Sequence, residues 1–242
     1  MKNNFFFEDI KILMGPNAEI IKDSLLIIDG KITAFGETAK DEALKKNIQV
    51  STSGNKLIAP LLVDIHSILE DPLTGFDDNL KSLKSRAKKS GFGTIALMPN
   101  SKNWRDKPEK IPFQKNNNSD INILFWGSFT LGDEGLKLSP HYDLLESGAI
   151  GLASSTFNNS SIIFKGLKLD AIKSSPILFS AKKKGSTENG IVNRDLQSLQ
   201  LGFYTIENST ELAEIRNICE IKNHFPTKNI IIQNVSDSDS LK

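Results

Sequence analysis

Asp64 and His66 stand two residues apart in the apolar run Leu61-Leu62-Val63-Asp64-Ile65-His66. On an extended strand side chains alternate, so both point to one face. A carboxylate and an imidazole placed this way could hold a single zinc ion with one further carboxylate nearby. The plainer reading is a histidine hydrogen-bonded to its surroundings. Asn100, after Met98-Pro99, could contact a ligand or cap a turn. Asp71, Asp77 and Asp78 could be acid–base groups, although carboxylates ahead of an amphipathic helix commonly complement its N-terminal dipole. Lys182-Lys183-Lys184 could bind an anion or form a solvated loop. The chain has three histidines, His66, His141 and His224, and one cysteine, Cys219. A single cysteine excludes an intrachain disulfide and a multi-thiolate metal site. Cys219 falls at helical spacing with Leu212 and Ile215, as a core thiol would. Trp104 and Trp126 read as packing residues.

These groups need strands and helices to aim them. Ser24 to Ile28 and Lys31 to Phe35 flank Asp29-Gly30, a dipeptide suited to a type I′ hairpin turn because both central residues need positive φ. Gly36 and Gly54 punctuate later turns. From Pro60 apolar strands alternate with amphipathic segments. Strands are expected at Leu61 to Ile65, Thr94 to Met98, Ile121 to Phe125, Ala149 to Ala153, Pro176 to Phe179 and Ile230 to Gln233. Phe76, Leu80, Leu83 and Ala87 fall at helical spacing, with Gly91 placed as a C-terminal glycine. His141 marks another helix start. A second clear helix runs from Asn208, where Asn208 to Glu211 reads as a capping box and Leu212, Ile215 and Cys219 as the apolar face. Such alternation indicates a parallel sheet covered on both faces. Six strands could make a doubly wound sheet, and they are two short of an eight-stranded barrel. Asn116 to Asn118 and Ser236 to Ser240 read as polar loops.

Composition narrows the function classes. Thirty Lys and Arg against 29 Asp and Glu leave a formal net charge of +1. That balance gives no electrostatic reason to expect nucleic acid or an anionic membrane as partner. No run approaches the roughly 20 apolar residues of a membrane span. Phe5-Phe6-Phe7 is cut off by Glu8 and Asp9, a poor signal-peptide core. A cytoplasmic protein is expected.

The stretch from Ala59 through Asp64, His66 and Ile68 to Glu70-Asp71-Pro72 resembles the first barrel strand of the dihydroorotase family. These are cyclic amidohydrolases, grouped with hydantoinases and allantoinases, and their pattern here is P-G-L-V-D-x-H-x-H-L-R-[ED]-P. Gly91-Phe92-Gly93-Thr94 to Met98-Pro99-Asn100 resembles the family's G-G-F-T-T-V-x-x-M-P-N at strand two. Asp29-Gly30-Lys31-Ile32 with Gly36 resembles its N-terminal β-segment. Weaker matches follow in order at Gly148 to Gly151, Pro176 to Ala181 and Ile232 to Ser236. The resemblance implies an α/β fold: an incomplete or distorted TIM-like (β/α) metallo-hydrolase barrel of about six strands over residues 60–242, behind a small β-segment over residues 1–59. It also implies an activity, the hydrolysis of dihydroorotate to and from N-carbamoyl-aspartate in pyrimidine biosynthesis, with zinc activating water and polarising the carbonyl.

The departures from the family pattern bear on that chemistry. His66 matches the first zinc-binding histidine, Ile68 stands at the second, and Glu70 replaces the arginine that grips the substrate carboxylate. Ser154 or Ser155 occupies the bridging-ligand position, Ser180 the strand-five histidine and Asn234 the strand-six histidine. The strands that follow, with their general-base aspartate, have no counterpart in these 242 residues. What the resemblance leaves is vestigial: Asn100 toward substrate, His66 and Asp64 toward metal, and no catalytic residue. The expectation is therefore a family member without zinc and without catalysis. It is expected to serve as a homo-oligomer or a hetero-partner that covers the open barrel edge. Aspartate transcarbamoylase or an active dihydroorotase are the partners the family suggests, and a relic without function is the other outcome.

Overall fold

The computed structural model describes residues 4–52, 54–69, 80–100, 104–112, 120–155, 159–169, 171–182, 190 and 192–241. Glu70, Asp71, Asp77, Asp78, Lys183, Lys184 and Asn116 to Asn118 lie outside them. The chain divides into two compact units, Met1–Leu62 and Val63–Lys242.

The first unit is a four-stranded sheet in the order β3-β2-β1-β4, formed by β1 (Phe5–Leu13), β2 (Ile20–Ile28), β3 (Lys31–Phe35) and β4 (Leu57–Ile58). Asp29 and Gly30 sit at φ 52° and 77°, so the hairpin closes through the positive-φ turn that these two residue types tolerate. Gly36, read as a turn residue, instead opens helix α1 (Gly36–Lys45). Ala39 and Ala43 of that helix are buried in one cluster with Phe6, Leu26 and Ala34. A separate apolar cavity of about 210 Å³ is lined by Ile12, Met14, Ile32, Phe35, Ile58 and Pro60 among others.

The second unit alternates strands and helices. Its main strands are β5 (Leu62–Ser67), β6 (Phe92–Leu97), β7 (Asn122–Phe125), β8 (Gly127–Ser128), β9 (Leu152–Ser154) and β10 (Ile177–Ser180). Later come the short β11 (Val192–Asn193) and β12 (Thr205–Ile206), then β13 (Ile230–Gln233). The helices are α2 (Leu80–Lys89), α3 (His141–Glu146), α4 (Ser160–Lys168), α5 (Leu196–Gln200) and α6 (Asn208–His224). One sheet runs β5-β6-β7 and another β8-β9-β10-β13; β6 pairs with β7, and β8, β9, β10 and β13 pair in turn, all in parallel. Trp126 joins them: its amide donates to Leu97 O at 3.1 Å, and the Gly127 amide donates to Gly151 O at 3.0 Å. The result is one run of six strand positions, an α/β fold with no closed barrel. Among the described residues β5 and β13 each have a single neighbour in the sheet.

Side-chain alternation divides the core into layers. Ala96, Met98, Trp126, Ala153 and Leu178 form the inner cluster. Ile95, Leu97, Ile123 and Phe125 face outward with Ala87 of α2, while Phe129, Leu152, Ile177 and Phe179 gather with Leu167 and Ile218. Gly91 ends α2 at φ 82°, as its position implied. Two expectations for α6 are corrected. Its N-cap is Glu207 with no side-chain bond, and the Glu211 carboxylate reaches Ser236 Oγ at 2.5 Å and the Asp237 amide at 2.9 Å, so it clasps the chain after β13 instead of capping. The buried face is Ile215, Ile218 and Ile221, and Cys219 is exposed, because the helix is rotated about one residue from the inferred stripe. Ser238–Leu241, read as loop, forms a short 3-10 helix.

The strand-end site

In a parallel α/β sheet the carboxyl ends of the strands face a crevice where chemistry is done. Here those ends carry His66, Asn100, Asp133, Ser154, Ser155, Ser180, Gln233 and Asn234.

Asp64 is half-buried near the end of β5. Its Oδ1 accepts the His66 amide at 2.8 Å and its Oδ2 accepts Ser67 Oγ at 2.6 Å. The carboxylate is thus engaged by its own strand. His66 is also half-buried; burial pushes its imidazole below the ordinary value, Lys182 adds to that, and Asp64 opposes it. Asn100 is half-buried, which both of its readings allow.

The acidic group that the motif reading missed is Asp133. It is 7% exposed and lies in left-handed backbone, φ 56°, directly after Gly132 at φ 58°. Its Oδ1 accepts Ser154 Oγ at 2.8 Å, its Oδ2 accepts the Ser155 amide at 3.0 Å, and Ser155 Oγ donates to the same oxygen. The pair that resembles the bridging-ligand position therefore holds a carboxylate supplied by another loop. A local signal was available in Leu131-Gly132-Asp133-Glu134-Gly135, where aspartate beside glycine tolerates positive φ.

Ser180, Gln233 and Asn234 put neutral side chains at their strand ends. Ser180 Oγ and Gln233 Oε1 are buried without a hydrogen-bond partner, while Gln233 Nε2 donates to Ser154 O at 3.2 Å. The strands place Ser180 and Gln233 in register. Asn234 is exposed at φ 59°. Trp126 is buried and its Nε1 donates to Ile65 O at 2.9 Å, a packing role as expected. Arg105, which no motif singled out, is buried and ties two strand ends together: Nη2 donates to Leu97 O at 2.8 Å and Nε to Trp126 O at 3.0 Å. Burial pushes its pKa down to about 10, so it stays charged at neutrality.

The other two histidines stand away from these ends. His141 opens α3, buried against the Phe129 ring, with Nε2 donating to Phe129 O at 2.7 Å. His224 lies at the end of α6 and its Nδ1 donates to Glu220 O. Among the described residues no three of His, Cys, Asp and Glu come together as a metal site needs. Among the described residues, His66, Asp64 and the serine-bound Asp133 do not come together as the three- or four-ligand set that zinc takes.

Comparison with known proteins agrees with the motifs. A family model described as dihydro-orotase-like matches residues 55–235. A dihydroorotase of Bacillus cereus (strain AH187) is 28% identical over 194 residues, 79% of this chain and 44% of that protein. A dihydroorotase of Ligilactobacillus salivarius (strain UCC118) is 25% identical over 201 residues, 81% of this chain and 47% of that protein. The chain thus spans less than half the length of these relatives. Among solved structures, the L-hydantoinase (dihydropyrimidinase) of Arthrobacter aurescens superposes with a TM-score of 0.66 at 16% identity, covering 98% of this chain and 54% of that one. A crystal structure of a dihydroorotase gives 0.50 at 12% identity, over 95% of this chain and 65% of that one. With matching motifs in order at the strand ends, and a family model that covers most of its length, this chain belongs to the dihydroorotase-like family.

Proposed function

We propose that this 242-residue chain does not hydrolyse cyclic amides by the zinc route of its family and acts as a non-catalytic partner protein. The observation that carries the reading is Asp133. Its buried carboxylate is engaged by Ser154 and Ser155, where a metal centre would need it free. Ser180 and Asn234 offer a hydroxyl and an amide where the family pattern has imidazoles, and neither is a zinc ligand of useful strength. Among the described residues near His66, none would lower the pKa of water to neutrality without a bound metal. A structural or regulatory role beside aspartate transcarbamoylase or an active dihydroorotase is the form such a partner takes in this family.

The deciding experiment is elemental analysis of the purified chain, with dihydroorotate hydrolysis assayed on the same sample. Zinc well below one per chain and no turnover are expected. Zinc near one or two per chain, with turnover that a chelator abolishes, overturns the proposal and returns the chain to the catalytic members of the family.

A further inference from the structure

Strand β5 pairs with β6 on one side, and among the described residues nothing pairs with its other edge. The side chains along it are unusually bare for a strand of a parallel sheet: Val63 is 60% and Ile65 49% exposed, although such strands are ordinarily covered on both faces. The segment has neither lysine nor proline, the residues that ordinarily blunt an edge. The Ser67 carbonyl accepts the Met98 amide, which turns the backbone groups of Ser67 and Ile65 toward β6 and those of Asp64 and His66 toward the free edge.

The residues along that edge are self-complementary. When two copies run antiparallel about Ile65, Ile65 meets Ile65, Asp64 meets His66, and Val63 meets Ser67. Each acid then lies opposite an imidazole on one face, twice by symmetry, and the Ile65 pair meets on the other, flanked by Val63 against Ser67. The backbone follows the same register. Asp64 and His66 become the hydrogen-bonded pairs, flanking the non-hydrogen-bonded Ile65 pair, as an antiparallel ladder requires. In the single chain the Asp64 carboxylate covers the edge donor by accepting the His66 amide at 2.8 Å. In the pair that amide passes to the opposing Asp64 carbonyl, and the carboxylate turns to the opposing imidazole. We propose that β5 is the interface of a two-fold symmetric dimer, in which two copies of this chain join edge to edge through Asp64, Ile65 and His66.

Sedimentation velocity and disulfide trapping on the full chain test this. The chain is expected to sediment as a dimer. Asp64→His and His66→Asp alone, which oppose like groups, are each expected to raise the dimer Kd about tenfold, since two cross-strand pairs are lost together. The double exchange, Asp64→His with His66→Asp, is expected to restore it. For trapping, Ile65→Cys in a Cys219→Ser background is expected to give an oxidised dimer, because opposed residues there lie about 4.5 Å apart at Cα. Ser67→Cys in the same background faces Val63 and is expected not to cross-link. A monomeric chain, a dimer indifferent to both single exchanges, or equal cross-linking at 65 and 67 overturns the proposal. Circular dichroism of each variant separates loss of pairing from loss of fold, and the trapping arm stands even where an exchange unfolds.

Discussion

Asp133 combines a cost and a gain that substitutions can separate. Left-handed backbone is unfavourable for a non-glycine residue by roughly 1 kcal/mol, while charge-assisted hydrogen bonds each contribute about 1.5–3 kcal/mol. The bonds from Ser154 and Ser155 outweigh the strain. Asp133→Ala keeps the strain and loses the bonds, so it is expected to destabilise the chain by about 3 kcal/mol in urea unfolding. Asp133→Gly loses the bonds but relieves the strain, and is expected to cost about 1 kcal/mol less than the alanine variant. His141 gives the second prediction at this scale. It is buried, its Nδ1 has no partner, and burial pushes its pKa below 6.5. The unfolded chain then binds the proton more readily, so the stability is fully present above about pH 6.5 and is lost as pH falls, by at most about 1.4 kcal/mol per unit for this group. His141→Phe is expected to flatten that part of the stability–pH curve.

At the scale of elements, the strand–helix order was legible because the sequence from Pro60 carries two clear periods. Ile230 to Gln233 was expected as a strand and is one, and the others shift by one to three residues. The Asp29-Gly30 hairpin was legible because that turn admits few residue types. Helix α1 was not, since Gly36 and Ala39 resemble turn and filler residues until the sheet beneath them is known. The stripe of α6 was misread because Cys219 is apolar by type, and the choice between it and Ile218 depends on what the helix meets. At the candidate site, His66, Asp64 and Asn100 were legible from motifs, whereas the partners of Asp133 and Arg105 are long-range contacts, and the glycines beside Asp133 signal only its backbone turn. Packing at this scale gives a sharp prediction. A Cβ on Gly151 would stand 2.3 Å from Pro176 O and 2.5 Å from the Trp126 ring. Backbone cannot give way there, so Gly151→Ala is expected to cost about 3 kcal/mol or more, seen as a lowered urea midpoint or loss of soluble expression.

For the whole molecule, the open run of six strands sets how stability responds to concentration. A contact made only by folded copies stabilises them by mass action. With β5 as the contact, the Tm is expected to rise with protein concentration over a hundredfold range, and to be lower at each concentration in the Asp64→His variant. A net charge of +1 contributes little repulsion between copies, so salt is expected to change this association only slightly.

The serines around Asp133 also limit what else these positions can hold. An acid at Ser154 or Ser155 would place a second carboxylate within hydrogen-bonding reach of Asp133 in a buried place. Two such groups cannot both ionise without a counter-ion, so that single change lowers stability. Removing Asp133 alone strands the serine donors. The clasp is therefore a coupled unit, whose members tolerate a paired change better than either single one.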